Sequence, residues 1–557
     1  MIGSFKQLDQ RRKQLESQQP VIPLDHPVLK SPFLPIIGSI LSGVLLALAF
    51  PGFGNATLIF VALVPLMFAV QSASVKKAAL LSLLSGFVFF VMSLWWLSNL
   101  TNRVEGFGLK TSAMLGFAVL ALYCALYFMP FGMAVALGTR KWIGNVLWKN
   151  VRFMGAVTLV WVGSEYLRGF LFTGFPWNPL RVSQYAHPTI IQVAEWGGVS
   201  IVSAYIVFMN AGAFVTFRQY THGTRAKMYK PHFELMIGIV PVALSVAYGM
   251  NILMNRQQLP DIVNVALVQP NIEQAAKWDA EKDQEIRDML EALTTVASQN
   301  DEVDIVIWPE TAVPDFVRTS RMSYDMIRRV TAGGVPVLAG TMDVEFTDTG
   351  KRYYNSSILY GKDGEEIGKY DKQHLVPFGE YVPFPKLMRT FTPIDVDFRG
   401  GAGSTVIPLD GKASFSVLIC FEDIVAPLAR NATLAGARWL VNQTNDAWFD
   451  PSSQSEQHLA HAVFRCVENR IPMARCCNTG ISALIDAYGN VGLRTEPMTG
   501  TVDSGYLFPR YRNMEHTFYT RKGNVVGKVS LVGGIGVFLM LRFGTRIKRK
   551  KKDEGKN

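Results

Sequence analysis

Three stretches of this chain set a chemically able side chain where a β-type run ends. Cys420 follows the apolar run Phe415–Ile419 and leads at once into Phe421-Glu422-Asp423. A thiol where the chain leaves a sheet is placed to face a cleft, and its thiolate is a strong nucleophile. The run Asp304–Trp308 ends in Pro309-Glu310-Thr311, which sets a carboxylate just past a second strand. Lys372 stands in the rigid, Pro- and Gly-punctuated segment Tyr370-Asp371-Lys372-Gln373-His374-Leu375-Val376-Pro377-Phe378-Gly379-Glu380. Taken singly, each has a structural alternative. Cys420 reads equally as a buried small hydrophobe, Glu310 as an acid favoured at a helix start, and Lys372 as a solvated cation.

The elements that must hold these residues are short and alternate in type. Ile262–Val268, Asp304–Trp308, Val335–Gly340, Ser356–Tyr360, Phe415–Ile419, Trp439–Gln443 and Ser482–Asp486 read as strands, being β-branched and bounded by turn residues. Helical patterns fall near Ala280–Ser298, Ser323–Thr331, Val425–Ala435 and Ser455–Arg470. This predicts an α/β domain with sheets covered by helices. Cys124, Cys466, Cys476 and Cys477 show no disulfide-framework spacing and read as small hydrophobes. His458 and His461 stand three apart on a helix, but no Cys/Asp cluster completes a metal site. No phosphate-cradling motif occurs in the required context, so neither metal nor cofactor is expected.

Composition places that domain beside a membrane. The 557 residues carry 49% hydrophobics and 18% charged residues, against ~25% charged in soluble proteins. Mean hydropathy is +0.18. Of 44 carboxylates, only Glu105, Glu165, Glu195 and Glu234 fall between Ser31 and Met254. This excludes a simple cytosolic enzyme, a disordered chain and a nucleic-acid-binding module built on the +11 net charge. Apolar runs long enough to cross a bilayer are read near 34–50, 56–72, 78–98, 111–138, 153–173, 190–217, 232–254 and 525–541. Lys76/Lys77, Arg140/Lys141/Lys149/Arg152 and Arg218/Arg225/Lys227/Lys230 fall on alternate connections, and the tail after Arg542 is basic. By the positive-inside rule both termini are cytoplasmic. The expected organisation is a cytoplasmic leader (1–33), a membrane domain of seven spans (34–254), a periplasmic domain (255–524), a last span (525–541) and a basic cytoplasmic tail (542–557). The leader is no cleavable signal peptide, since 30 polar residues precede any apolar run. Glu165 and Arg168, at i and i+3 in one span, are expected to pair or to line a lipid headgroup site.

In chain order, Glu, Lys and Cys at such positions resemble the catalytic triad of the nitrilase (carbon–nitrogen hydrolase) superfamily. The segments that carry the likeness are Trp308-Pro309-Glu310-Thr311, Lys372 through Glu380, and Cys420-Phe421-Glu422. A nitrilase-like domain between the seventh and eighth apolar runs is similar to the apolipoprotein N-acyltransferase family, from residue ~33 onward. Thr173-Gly174-Phe175-Pro176-Trp177, Val268-Gln269-Pro270-Asn271-Ile272 with Trp278, Asn445-Asp446-Ala447-Trp448-Phe449 and Asn478-Thr479-Gly480-Ile481 share in it. Phe421 and Pro270 depart from the tyrosine and glycine that are frequent there.

The resemblance implies a polytopic α-helical membrane domain of about eight spans joined to an α-β-β-α sandwich over about 260–505. It implies an acyltransferase of the bacterial inner membrane, working on the periplasmic face. A fatty acyl group would pass from a phospholipid to the α-amine of an S-diacylglyceryl-cysteine at a prolipoprotein's N-terminus, through a thioester. Glu310 would be the general base, Cys420 the nucleophile and Lys372 the oxyanion donor, with Glu380, Glu422 and Phe421 in support. Glu422 could also position the attacking amine. Trp278 and Trp177 would face the lipid interface, gating substrate access or serving only as an aromatic belt. The partners are the donor phospholipid, the diacylated prolipoprotein and membrane lipids, with no nucleic acid and no cofactor, and the chain is expected to be a monomer. One alternative is a membrane-tethered amidase or nitrilase that delivers the acyl group to water. A transporter or receptor with an accessory domain is the other.

Overall fold

The computed structural model describes residues 31–102, 107–222, 233–256, 260–348, 350–382, 397–449 and 451–554. The leader up to residue 30 and the charges Arg103, Arg225, Lys227 and Lys230 lie outside the described residues. The N-terminal region is a set of apolar helices: α1 (Leu34–Leu48), α2 (Val64–Val70), α3 (Val75–Ser93), α4 (Phe107–Leu126), α5 (Met129–Lys141), α6 (Leu147–Arg168), α7 (Ser200–His222) and α8 (Phe233–Met254). Among the described residues, four helical stretches are long and apolar enough to cross a membrane: Val75–Ser93, Gly108–Lys141, Ser200–Thr221 and Phe233–Met254. Leu34–Leu48, Ala56–Val70 and Val525–Leu541 are shorter apolar helices. The differences from the eight apolar runs have local causes. The run 111–138 is interrupted before Met129-Pro130, where proline lacks the N–H that would continue the ladder. The run 190–217 begins in two short helices, Pro188–Ile191 and Ala194–Gly197, and only the part from Ser200 is one long helix.

After α8 the chain builds two sheets. The first runs β1 (Val263–Gln269), β2 (Ile305–Ile307), β4 (Val337–Thr347), β5 (Gly350–Tyr360) and β6 (Glu366–Asp371) across its width. β12 (Thr501–Leu507) closes the β1 edge, and β3 (Val313–Phe316) pairs with β4. The second has the order β11 (Val491–Arg494), β10 (Ala483–Ile485), β9 (Met473–Cys477), β8 (Trp439–Thr444) and β7 (Phe415–Ile419). β1, β2 and β4 are parallel neighbours, as are β7, β8 and β9.

Alternation decides the layers. Val263, Val265 and Leu267 of β1 pack with Ile307, Val417, Ile419, Val441 and Cys476 in the core between the sheets. The alternate residues Ala266 and Val268 pack outward with Trp308 against α9 (Asp283–Ser298) and α10 (Arg321–Thr331), through Ile286, Leu290, Met326 and Ile327. On the far side, Leu418 and Leu440 meet α12 (Gln454–Asn469), beside α11 (Ala426–Leu434), in a core that continues into the membrane helices. The result is an α-β-β-α sandwich. The chain then ends in α13 (Val525–Glu554), which packs along α6 where Gly163 lets the Leu531 backbone come close.

Every residue of α12 except Glu456 is buried, the other polar residues included. One face covers the second sheet and the other lies on the loops between the apolar helices. Gln457 joins the two: its Oε1 accepts from Trp96 Nε1 (3.1 Å), Trp177 Nε1 (2.8 Å) and Asn178 Nδ2 (2.9 Å). Its Nε2 donates to the carbonyls of Ser93 (3.0 Å) and Pro51 (3.3 Å). Gly52, at φ +105°, lets the loop after α1 touch Ser453, where an added Cβ would come within 2.5 Å of the serine Cβ.

Replacing Gln457 by leucine leaves three donors and two carbonyls without their partner in a dry interface. An orphaned buried polar group costs about 1–3 kcal/mol. Gln457→Leu is therefore expected to lower the thermal midpoint of the detergent-solubilised protein by several degrees or more. A midpoint equal to that of the unsubstituted protein would show that the junction does not depend on this side chain.

Candidate active site

Glu310 follows β2 by three residues and is nearly buried. Its placement needs Gly340 on β4, since a Cβ there would lie 2.1 Å from the Pro309 carbonyl oxygen and 2.9 Å from Glu310 Cα. The carboxylate is held at both oxygens. Oε1 accepts from Asn355 Nδ2 at 2.8 Å and lies 3.4 Å from Lys372 Nζ, and Oε2 accepts from the Asn445 backbone N–H at 3.0 Å.

Lys372 comes just after β6 and is 1% exposed. Its ammonium lies 2.9 Å from Glu380 Oε1 and 3.4 Å from Glu310 Oε1, so one cation sits between two carboxylates. Asn355 on β5 donates to both acids, reaching Glu380 Oε1 at 3.0 Å. Glu380 Oε2 in turn accepts from the Val376 N–H at 2.8 Å, which closes the 372–380 loop on itself. Burial opposes the ammonium, but the Glu380 and Glu310 charges outweigh it and hold Lys372 well above the ordinary lysine value.

Cys420 begins a tight turn after β7 with φ at 53°, in the left-handed region that side chains other than glycine rarely occupy. The turn is fixed by Glu422, which is fully buried. Its carboxylate accepts from Ile419 N (2.8 Å) and Tyr370 Oη (2.8 Å) on one oxygen, and from Gln373 N (2.7 Å) and His374 N (2.9 Å) on the other. One carboxylate thus binds the Cys420 turn to the Lys372 loop. Both of its oxygens are engaged by two donors each. Burial pushes the Glu422 carboxyl up to about 6 despite these donors. Burial first, and the Glu310 charge second, push the Cys420 thiol well above its ordinary value, while Lys372 and the Thr444 hydroxyl act the other way. The thiol therefore rests protonated and needs a base acting during attack. Glu310 and Lys372 both face it electrostatically. The arrangement can deprotonate a thiol, stabilise an oxyanion and carry an acyl group on sulfur.

Phe421 stacks with Phe175, Trp177 and His374 at centroid distances of 6.2, 6.0 and 6.0 Å. Trp177, expected from its outward loop to face lipid, is only 3% exposed. Its indole is enclosed by Trp96, Phe421, His458 and His461 because α12 covers it. Trp278 ends the short turn Ala276–Trp278, and its side chain lies outside the described residues. Glu165 and Arg168 hold other partners than each other. Glu165 Oε1 accepts from Trp161 Nε1 and Leu180 N, and Arg168 donates to the carbonyls of Phe175 and Trp177.

Sequence reasoning missed three contributors. Asn355 was legible in principle, as a polar residue in a buried strand segment. Asn445 acts through its backbone. Lys277, beside Trp278, is buried and donates to the Glu310 carbonyl at 3.0 Å.

Behind the turn lies a second charged group. His458 places Nε2 2.9 Å from Asp423 and Nδ1 3.1 Å from Asp446, with both nitrogens taken by carboxylates rather than free for a metal. Arg475 reaches the same two acids at 2.9 and 3.3 Å. Burial and Arg475 oppose the imidazolium, but Asp423 and Asp446 outweigh them and push His458 up to about 9.

Comparison with known proteins covers both parts of the chain. The family model described as apolipoprotein N-acyltransferase N-terminal domain matches residues 42–212, and the one described as carbon-nitrogen hydrolase matches residues 264–502. A protein of Geobacter metallireducens named apolipoprotein N-acyltransferase is 35% identical over 518 residues, covering 91% of this chain and 94% of its own. Proteins of the same name from Allorhizobium ampelinum and Rhizobium meliloti are 32% and 33% identical, over 82% and 81% of this chain and 87% and 85% of theirs. The sandwich has the nitrilase-like carbon–nitrogen hydrolase fold.

The His458 cluster makes a pH prediction. A histidine raised in the folded state contributes stability that is fully present below its unfolded value, ~6.5, and lost as pH rises through about 9. Folding stability is expected to fall between pH 7 and 10 by an amount on the order of 1–3 kcal/mol, and the thermal midpoint with it. In His458→Gln that portion of the fall should be absent, and an unchanged pH dependence in that variant would contradict the assignment.

Proposed function

The chain belongs to the apolipoprotein N-acyltransferase family, and from that premise we propose that Glu310, Lys372 and Cys420 are the residues with which it N-acylates lipoproteins. The observation that carries the assignment is the Lys372 ammonium between Glu380 and Glu310, with Lys372 and Glu310 both acting on the Cys420 thiol. Glu310 takes the thiol proton as the sulfur attacks the ester carbonyl of a phospholipid. Lys372 holds the oxyanion, and loss of one such donor typically costs ~3 kcal/mol in barrier. Collapse breaks the ester C–O bond, Glu310 returns the proton to the leaving lysophospholipid oxygen, and a thioester remains on Cys420. The α-amine of the S-diacylglyceryl-cysteine then attacks the thioester, loses its proton to Glu310, and the thiol is restored.

Glu380 keeps Lys372 charged and oriented, and Glu422 keeps the two loops together. A thioester must be kept from water until the amine arrives, which fits a nucleophile turn whose neighbour Phe421 lies in an aromatic stack against the membrane loops. The hydrolase alternative shares the superfamily fold alone. The basic connections and tail support eight spans, with both termini in the cytoplasm and residues 255–524 on the periplasmic face of the inner membrane. On this reading the membrane domain is 34–254, the last span 525–541 and the cytoplasmic tail 542–557. The donor phospholipid, the diacylated prolipoprotein and bilayer lipids are then the partners of a monomer.

Mass spectrometry of the protein taken from membranes tests the triad. A fatty acyl group removable by hydroxylamine is expected on Cys420, to be discharged by a diacylated lipopeptide with formation of its N-acyl product. Cys420→Ser, Glu310→Gln and Lys372→Met should each lower transfer by about a hundredfold or more in protein that still unfolds cooperatively, with Lys372→Met also lowering the thermal midpoint because it leaves two buried carboxylates unpaired. Free fatty acid without N-acylated peptide would favour the hydrolase, and an unaffected rate in Cys420→Ser would sink the assignment.

A further inference from the structure

Lys277 is a buried cation that the mechanism above leaves unused. It lies on the loop after β1, in the turn Ala276–Trp278, and is 2% exposed. Lysine is almost never fully buried unless paired, yet among the described residues no carboxylate oxygen stands within 4 Å of its ammonium. The one acceptor recorded for Nζ among those residues is the main-chain carbonyl of Glu310, at 3.0 Å. An ammonium has three N–H groups, so two stay uncommitted. The loop itself is firmly tied. Asn271 N donates to the Asn478 carbonyl (3.0 Å), Ile272 N to Asn478 Oδ1 (2.9 Å), and Asn445 Nδ2 to Gln274 Oε1 (2.8 Å). Asn445 also holds the Glu310 carboxylate. The cation is therefore positioned, through the same strand ends, against the proposed base, and it faces Cys420 electrostatically.

We propose that Lys277 is a second cationic group of the reaction centre, fixing the Glu310 main chain with one N–H and offering the others to the oxygen that becomes negative when Cys420 attacks the ester. This rests on the triad reading above. The two cations divide the work by their surroundings. Lys372 is neutralised at rest by Glu380 and Glu310, whereas Lys277 has no carboxylate of its own and is free to meet a developing charge. The ionisable groups that face it are Glu310, from the end of β2, and Cys420, from the end of β7. Burial lowers Lys277 to about 8 against the pull of both. Its positive charge is present below that pH and lost above it, so Cys420 acylation should slow as pH rises through about 8, where titration of a thiol alone would speed it.

The test uses the full-length protein in vesicles of phosphatidylethanolamine and phosphatidylglycerol, reading the initial rate of hydroxylamine-labile acylation of Cys420 from about pH 6 to 10. Lys277→Met is expected to slow acylation about a hundredfold and to abolish the alkaline fall. Lys277→Arg, which keeps its charge throughout that range, should retain the rate to within about tenfold and show no fall near pH 8. If both variants were slowed alike with the alkaline fall still in place, Lys277 would be a packing residue only and the proposal would be overturned. A wild-type rate and profile in a folded Lys277→Met protein would overturn it as well. Absence of any adduct on unsubstituted Cys420 would instead remove the triad reading, and this proposal with it.

Discussion

One helix, buried at every residue but Glu456, governs the geometry of this molecule. α12 covers the second sheet behind the strand that ends at Cys420, and its other side is buried against the loops between the apolar helices. Such a helix must satisfy its polar groups on both sides, because a buried donor left alone costs more than a hydrogen bond contributes. Gln457 does this toward the membrane loops and His458, one residue on, does it toward the Cys420 turn. The sandwich is therefore seated on the apolar helices in one orientation. That seating brings Trp177 and Phe175 onto Phe421, the residue next to the nucleophile.

Charge is balanced in two compartments around that turn. Asp423 and Asp446 face His458 and Arg475 in a closed set of two anions and two cations, sealed by the sandwich. Glu310 and Glu380 face Lys372 on the other side of the thiol's surroundings, and Lys277 adds a positive charge that no carboxylate among the described residues claims. The first compartment is complete without substrate and serves to hold the turn. The second carries a spare cation, and a group of that kind suits a reaction in which a negative oxygen appears transiently in a low-dielectric place.

What the sequence disclosed follows how local each signal is. The strands that end in Glu310 and Cys420 are short β-branched runs closed by turn residues, so their positions could be read directly, and chain order with local motifs pointed to the triad. Asn355 stood out only as a polar residue in a buried strand and Lys277 not at all, because their roles depend on partners that arrive from elsewhere: Glu310 and Glu380 for one, the Glu310 carbonyl for the other. His458 and His461 stand three apart on a helix, and that spacing carries no information about which carboxylates will close on His458. Trp177 was misplaced for a related reason. An indole in an outward loop favours a membrane interface, but only the fold reveals that α12 has taken that position. Hydropathy found the apolar runs, and the helix breaks within them came from Pro130 and from the glycines before Ser200, which averaging over a window conceals.

Backbone strain marks the same place by an independent route. Asn271, Thr311, Phe378 and Cys420 all hold left-handed φ, and each adjoins a segment of the proposed centre. Such conformations cost on the order of 1–3 kcal/mol each and persist only where their surroundings over-determine them. Here they are over-determined. Asn271 N donates to the Asn478 carbonyl at 3.0 Å, Ala312 N to the Gly340 carbonyl at 2.9 Å, and Phe378 N to the Tyr381 carbonyl at 2.8 Å. At Cys420 the carbonyl accepts from Asn442 Nδ2 at 3.2 Å while Glu422 secures Ile419 on the other side. If any of these loops relaxed into an ordinary extended or helical conformation, its side chain would swing by several ångströms. The thiol would then leave the range of Glu310 and Lys372. The rigidity of the sandwich, seated through α12, is thus what keeps four unfavourable turns in register and a protonated sulfur beside its base.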